Sequence, residues 1–526
     1  MKILLIICLA ALTALDISAA QKPNIIFILA DDMGYGDMSH SGGKVATPHC
    51  DRLAAEGMRF TDAHTSSSVC TPTRYGILTG RYNWRSRLKK RVLSGYSDPL
   101  IPTSRQTVAG FLREQGYHTK MVGKWHLGIG WQRFPNGEKR VPKHELSVEL
   151  KNRIERSRAY ASTWEIDYSK PVIGPVANGF DSFWGIAASL DMPPYVYIND
   201  DRVEELPTTT KAFFRPGPST ADFEANQCLI HFAEKSREYI RSRGAKKDQP
   251  FFLYLPLTSP HTPIVPSARW RGRAAIGDYG DFLMETDWVI GEVLAELEAQ
   301  GIDDNTMIIF TSDNGCSPTA NIGGLIGKGH KPNADWRGNK ADIFEGGHRV
   351  PFLVRWPAQV KAASVTDSTI CTTDFFATAA EAVGALKTVK DNVAEDSFSF
   401  YGELTGGAKT KRQTTIHHSI NGTFAIRQGK WKLNLCGGSG GWSFPRPDRN
   451  KDVINKLPAI QLYDLSADPR EEKNLQAENP EVVAKLVKTL AAEIKAGRIT
   501  PGATQKNNGS IPFPENILKL FPELKN

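Results

Sequence analysis

The sequence predicts an α/β fold, a large and mostly parallel sheet sandwiched by helices, and three observations carry that expectation. Continuous apolar runs recur along the chain, beginning with NIIFILA at residues 24–30, and a strand apolar on both faces belongs in a sheet covered on both sides. Amphipathic helical stretches alternate with those runs. The 526 residues are 40% hydrophobic and 23% charged, a balance of folded soluble proteins that excludes disorder as the main state. One hydrophobic core ordinarily stops growing at about 250 to 300 residues, so at least two domains are expected.

The elements follow in order. Lys2 precedes an apolar run at 3–12, and the small residues Ser18, Ala19 and Ala20 offer a cleavage site, the pattern of a signal peptide at 1–20. The run is short of the ~20 residues that a membrane span needs, and Asp16 interrupts its far end. The mature chain from Gln21 is therefore expected to be secreted or periplasmic, with no membrane anchor. The strand at 24–30 is followed by Asp31 and Asp32. A helix at 48–56 is expected to end at a left-handed Gly57, with a strand at 58–61 after it. A helix starts at Cys70, with Pro72 in its first turn and Arg74 one turn on, so that Cys70 and Arg74 face the same way. A helix at 107–115 closes on Gly116, and strands follow at 118–122, 251–257, 307–311 and 352–356. Residues 131–175 are charged and partly helical, without an assignable role. From Thr414 onward short alternating strands and an amphipathic helix at 480–495 read as a small antiparallel α+β unit. The expected division is a catalytic α/β domain at 21–410 and a C-terminal α+β domain with a short antiparallel sheet at 411–526.

Ligands of open α/β sheets collect at the carboxyl ends of the strands. There the chain places Asp31 and Asp32, Lys124 and His126, His261, and Asp313 and Asn314, after four separate strands. Turn formation accounts for Asp and Asn in such places but not for the lysines and histidines. Asp31, Asp32, Asp313 and Asn314 make an all-oxygen set, which suits Ca²⁺, and Mg²⁺ less well, and argues against zinc. The formal charge of +8, from 65 Lys and Arg against 57 Asp and Glu, favours an anionic partner without separating nucleic acid, acidic lipid, and sulfated or phosphorylated substrates. Arg85, Arg87, Lys89, Lys90 and Arg91 read as a solvated basic loop, or as a guide for a polyanionic glycan. Asp191, in SLDMPPY, is either a turn former or a contact to a sugar hydroxyl. Seven cysteines, one of them (Cys8) in the signal segment, are too sparse for a disulfide framework. Asn421 and Asn508 stand in glycosylation sequons, which act only in a host that glycosylates.

The segment from Ser68 to Gly80, SVCTPTRYGILTG, resembles the signature of the type I sulfatases of the alkaline phosphatase superfamily, with Cys70, Pro72 and Arg74 as its C-x-P-x-R. A second signature runs from Gly116 to Gly128, and S-P-H-x-P (Ser259 to Pro263), S-D-N-G (Ser312 to Gly315) and R-G-x-K (Arg337 to Lys340) complete the likeness. The resemblance implies an alkaline-phosphatase-like sheet and a sulfuric ester hydrolase. It implies that a formylglycine-generating enzyme oxidises Cys70 to formylglycine (3-oxoalanine). One hydroxyl of the aldehyde hydrate, beside Ca²⁺ held with Asp31, Asp32, Asp313 and Asn314, attacks sulfur; the other expels sulfate. By the same likeness Lys124, His261 and Lys340 bind sulfate, His261, with Lys340, protonates the leaving oxygen, His126 handles the hydrate's proton, and Arg74 holds the hydrate and braces the carboxylates. The substrate expected is a sulfated carbohydrate, not nucleic acid. Two other readings stand beside it: a phosphodiester or phosphonate monoester hydrolase of the same superfamily, and a non-catalytic sulfated-glycan-binding protein in which Cys70 stays a thiol. Oligomeric state is not readable from the sequence.

Overall fold

Ten strands join in one sheet: β1 (Asn24–Asp31), β2 (Met58–Phe60), β3 (His118–Lys124), β4 (Ser182–Ile186), β5 (Ile198–Asn199), β6 (Arg202–Val203), β7 (Phe251–Pro260), β8 (Thr306–Ser312), β9 (Phe352–Arg355) and β10 (Ser364–Thr366). The computed structural model describes residues 22–141, 146–157 and 160–525, so the expected signal peptide and Gln21 lie outside the described residues. The strand order is β10-β2-β9-β8-β1-β7-β3-β4-β5-β6. Its centre, β8-β1-β7-β3-β4, is parallel, while β9 runs antiparallel to both β8 and β2. The sheet is mixed and mostly parallel at its core, as the apolar runs require.

Strand β1 shows why both faces are covered. Ile25, Phe27 and Leu29 enter one core cluster, and the alternate residues Ile26, Ile28 and Ala30 enter the other. Helices α1 (Pro48–Glu56), α2 (Cys70–Thr79), α3 (Val108–Glu114), α4 (Cys228–Gly244), α5 (Asp278–Ala299) and α6 (Phe375–Ala382) supply the covering layers. Helix α2 adds Ile77 and Leu78, and α6 adds Phe375 and Phe376, on the Phe27 side. Leu53 of α1, Phe232 of α4 and Leu283 of α5 cover the Ile26 side.

Thr107 caps α3, its side chain accepting from Gly110 N–H, and Gly116 is left-handed after it with φ 92°. Gly57 corrects the expectation at the end of α1: its backbone is extended, with φ −138° and ψ −150°. A Cβ there would come 2.2 Å from the Val354 carbonyl, so close approach of two chain segments, not a left-handed turn, accounts for the glycine.

A separate antiparallel sheet, β11 (Thr414–His418), β12 (Phe424–Gln428), β13 (Trp431–Asn434) and β14 (Gln461–Asp464), packs with helix α7 (Pro480–Ala496). Leu486, Leu490 and Ile494 of α7 meet Ile426 and Leu433, and the same cluster takes in Tyr82, Trp84 and Cys371 from the earlier chain. Six cysteines are free thiols among the described residues. No helix among them is long and apolar enough to cross a membrane.

Candidate active site

Strands β8, β1, β7 and β3 are parallel neighbours, so their carboxyl ends share one edge. Asp31 ends β1, Lys124 ends β3, and His261, Asp313 and Asn314 stand within two residues after β7 and β8. Asp32 and His126 have positive φ, 65° and 55°, a conformation that costs a non-glycine residue on the order of 1–3 kcal/mol and is tolerated where the surroundings impose it. Gly123 permits the approach of β3, because a Cβ there would lie 2.1 Å from the Pro256 carbonyl. Cys70 opens α2, and Lys340 comes from a loop fastened on both sides. Lys340 N–H donates to Cys316 O at 3.0 Å, and Ala341 N–H to Ser68 O at 2.8 Å.

The charged groups interlock. Arg74 donates to Asp313 Oδ2 from Nη2 at 2.7 Å and from Nε at 3.1 Å, and Nη1 reaches the Lys124 carbonyl at 3.2 Å. Lys124 Nζ lies 2.5 Å from Asp31 Oδ2, and Lys340 Nζ 2.6 Å from Asp32 Oδ1. Three buried carboxylates thus meet three buried cations. Burial alone pushes Asp31 up, yet Lys124, His261 and Arg74 together hold it well below the usual carboxylate range. Asp313 is pushed up to about 7 by burial and by the Asp31 charge beside it.

Two oxygens in this cluster test whether a cation fits. Asp31 Oδ1 and Asn314 Oδ1 are buried and accept no hydrogen bond from the protein. Leaving such atoms unpaired costs about 1–3 kcal/mol each, more for a charged group, unless something else pairs with them. Asn314 Nδ2 donates to Asp32 Oδ1 at 2.7 Å, and Asp32 N–H to Asp313 Oδ1 at 3.2 Å, so these expected ligands touch one another. Ligand atoms of Asp31, Asp32, Cys70 and His261 also lie within 4.8 Å of one another. Carboxylate and amide oxygens in this number suit a hard dication.

The two histidines differ. His126 Nε2 lies 2.7 Å from the Leu93 carbonyl, which only accepts, so Nε2 carries the proton and the unpartnered Nδ1 presents a lone pair. Burial, Lys124 and Arg74 hold His126 well below the ordinary imidazole range, hence neutral. His261 goes the other way: burial and Lys340 pull it down, but Asp32 and Asp31 carry it above the ordinary value. Its Nδ1 donates to the Thr262 carbonyl at 2.5 Å, and Nε2 stands 3.7 Å from Asp32 Oδ2.

Cys70, His126, His261 and Lys340 line one cavity of about 680 Å³, far roomier than a sulfate group needs and inside the range of small-molecule sites. Arg74, Lys124 and the Asp and Asn residues of the floor lie beneath it and do not line it. The unassigned stretch 131–175 supplies a wall through Ser157, Tyr160 and Thr163, and Phe214, Arg215, Asn421 and Trp442 complete it. Sequence reasoning missed these wall residues as contributors, since none lies in a catalytic motif or at a strand end. Asp191 is in the wall. The basic run is not one solvated loop: Arg85 is fully buried, chelating Asp396 from Nε at 2.9 Å and Nη2 at 3.0 Å, because a desolvated guanidinium demands a carboxylate partner. Arg91 of that run lines the cavity.

The sulfatase family model matches residues 23–385. An N-acetylgalactosamine-6-O-sulfatase of Bacteroides thetaiotaomicron is 33% identical, over 90% of this chain and 93% of its own. Human arylsulfatase A is 30% identical, over 95% of this chain and 93% of its own. A solved sulfatase from work on glycosaminoglycan metabolism by Bacteroides thetaiotaomicron superposes with a TM-score of 0.74 at 30% identity, covering 90% of this chain and 99% of that one. A phosphonate monoester hydrolase of Agrobacterium radiobacter shares the fold, with a TM-score of 0.54 at 19% identity over 90% of this chain and 95% of that one.

Proposed function

Because this chain belongs to the sulfatase family, an enzyme family of sulfuric ester hydrolases, we propose that it releases sulfate from an O-sulfated carbohydrate, with Cys70, converted to formylglycine, as nucleophile. The observation that carries this reading is the cavity floor itself: Cys70 at the start of a buried helix, flanked by His126, His261 and Lys340, over interlocked carboxylates with two buried oxygens that accept no hydrogen bond. Named relatives act on sulfated sugars, and N-acetylgalactosamine 6-sulfate is the first substrate to test.

Asp31, Asp32, Asp313 and Asn314, with the modified Cys70, would hold Ca²⁺ in preference to Mg²⁺, and the bound dication would supply positive charge to a sulfate oxygen and favour the ionised nucleophile. Formylglycine would supply, as its hydrate, one hydroxyl to attack sulfur and a second to expel sulfate without attack by water on sulfur. The chain's own residues do the remainder. His126, neutral with Nδ1 free, is placed to take a proton near Cys70. His261, whose imidazolium is favoured by Asp32 and Asp31, donates a proton to the leaving sugar oxygen, aided by Lys340. Lys340, in the cavity lining, brings charge to the sulfate oxygens, Lys124 acts from beneath the floor through Asp31, and Arg74 fixes Asp313 and reaches Asp31 Oδ1 at 3.6 Å. Three cations cancel three carboxylates, so a dication leaves the pocket at about +2 before the His261 imidazolium is counted, suited to an anionic ester.

A formylglycine-generating enzyme is the maturation partner this requires, and export as a secreted or periplasmic protein with cleavage near Ala20 fits the amino-terminal sequence. The division at about residue 410 assigns catalysis to 21–410 and one cavity wall, through Asn421 and Trp442, to 411–526.

The test is a panel of defined sulfated oligosaccharides, scored for released sulfate and for the position lost, with phosphate diesters and phosphonate monoesters as controls. Sulfate release with at most minor phosphoester turnover is expected; the reverse order overturns the reading. Mass spectrometry across Cys70 separates the enzyme from a glycan-binding protein, since an unmodified thiol throughout favours the latter.

A further inference from the structure

The cavity wall holds a carboxylate that sulfate chemistry does not explain. Asp191 is the one acidic residue among the described lining residues, in the company of Arg91, Arg215 and Lys340. A negative charge beside a pocket for sulfate opposes the substrate. Stability gives no adequate reason for it. The Asp191 side chain is 9% exposed and its Oδ2 lies 2.5 Å from Arg215 Nη1, but Arg215 is 49% exposed, and so open a pair contributes little.

The pair is nevertheless built firmly. Tyr195 Oη donates to the Arg215 carbonyl at 2.6 Å, so side chain and main chain of Arg215 are both held by the segment that carries Asp191. Oδ1 of Asp191 is buried without a protein donor, and Oδ2 has only Arg215, so Oδ2, with a second lone pair, is the acceptor this cavity-lining carboxylate can offer. Arg215 fixes its position in a cavity otherwise arranged for anions. What such a group binds is a neutral donor.

We propose that Asp191, held by Arg215, is a specificity-determining residue that accepts a hydrogen bond from a ring hydroxyl of the sulfated sugar. This rests on the sulfatase reading and deepens it. The sugar seated there is a hydroxyl-bearing ring, since the charge of Asp191 is already matched by Arg215 and a neutral donor is what its remaining lone pair takes.

The experiment is a cycle of enzyme and substrate changes. Wild type and Asp191→Ala are assayed on N-acetylgalactosamine 6-sulfate, or on the panel sugar turned over best, and on its monodeoxy analogues. One deoxy analogue is expected to lose about 10- to 100-fold in kcat/KM with wild type, the range for a hydrogen bond to a charged group. Asp191→Ala should lose a similar factor on the parent sugar and nothing more on that analogue. Should Asp191→Ala fail to fold, Asp191→Asn takes its place, and there the penalty of that analogue shrinks. No loss with any deoxy analogue in wild type overturns the proposal, as do enzyme and substrate losses that simply multiply. If wild type frees no sulfate from any sugar, the sulfatase reading itself fails and this proposal with it.

Discussion

Lys340 reaches across the cavity floor to Asp32, its Nζ 2.6 Å from Oδ1 and 2.8 Å from Oδ2, while its backbone joins the loop to Cys316. The contact holds the ammonium in place before substrate arrives. It also keeps the proton on: burial pulls the Lys340 pKa down, but Asp32, Cys70 and Asp31 carry it above the ordinary lysine value. A preorganised cation costs no rearrangement during reaction, and removing one such donor lowers turnover by about 10²–10³. Lys340→Ala and Lys124→Ala are each expected to lose kcat/KM on a sulfate ester in that range, with folding checked by circular dichroism. Near-wild-type turnover in both variants would show that neither cation serves the reaction.

Asp31 Oδ1 and Asn314 Oδ1, both buried and accepting no hydrogen bond from the protein, predict metal-linked stability. Ca²⁺ at a hundred times its Kd should stabilise the fold by about 2.7 kcal/mol, by mass action alone. Thermal unfolding with Ca²⁺, Mg²⁺ or chelator is the measurement, and Ca²⁺ should give the largest rise in Tm. Asp31→Asn should abolish most of that rise. A Tm indifferent to all three conditions excludes a bound dication.

Cys70 separates attack from release. If formylglycine supplies two hydroxyls, Cys70→Ser supplies one, which can accept the sulfuryl group but has no second hydroxyl to expel it. The variant should turn over once at most and retain a sulfate ester on the peptide that spans the substituted position, visible by mass spectrometry. Sustained turnover by Cys70→Ser would show that the second hydroxyl is not needed.

The sheet and the grouping of residues on the cavity floor were legible because their signals are local. An apolar run such as 24–30 states its own burial, and a polar residue directly after it, such as Asp31, inherits a place at the strand edge. The wall was not legible, because its residues meet through contacts between distant segments. Arg85 looked solvated among other basic residues, and only its pairing with Asp396, 311 positions on, buries it. Gly57 owes its identity to the Val354 carbonyl, which no helix-capping rule includes. Asp191 gained meaning from Arg215 and from the cavity, neither of which its turn-like surroundings announce.

His418 gives a pH prediction at the junction between the two sheets. It ends β11 and is fully buried, its carbonyl accepting from Ser67 Oγ at 3.0 Å and from Ser68 N–H at 3.2 Å, two residues before Cys70. Burial lowers its pKa from 6.5 to about 4, with the Ser419 carbonyl offsetting part of the effect. Below 6.5 the unfolded chain therefore binds a proton that the native protein refuses, so stability present above that pH is lost as pH falls toward 4. At pH 5 the loss from this one group is about 2 kcal/mol by linkage, and it is complete below about pH 4. His418→Gln lacks the titration. Whatever it costs at pH 7, its stability deficit against wild type should shrink by about 2 kcal/mol at pH 5, read from urea unfolding at the two pH values. A deficit unchanged between those values would mean that His418 titrates alike in both states, and that burial at this junction leaves its proton affinity untouched.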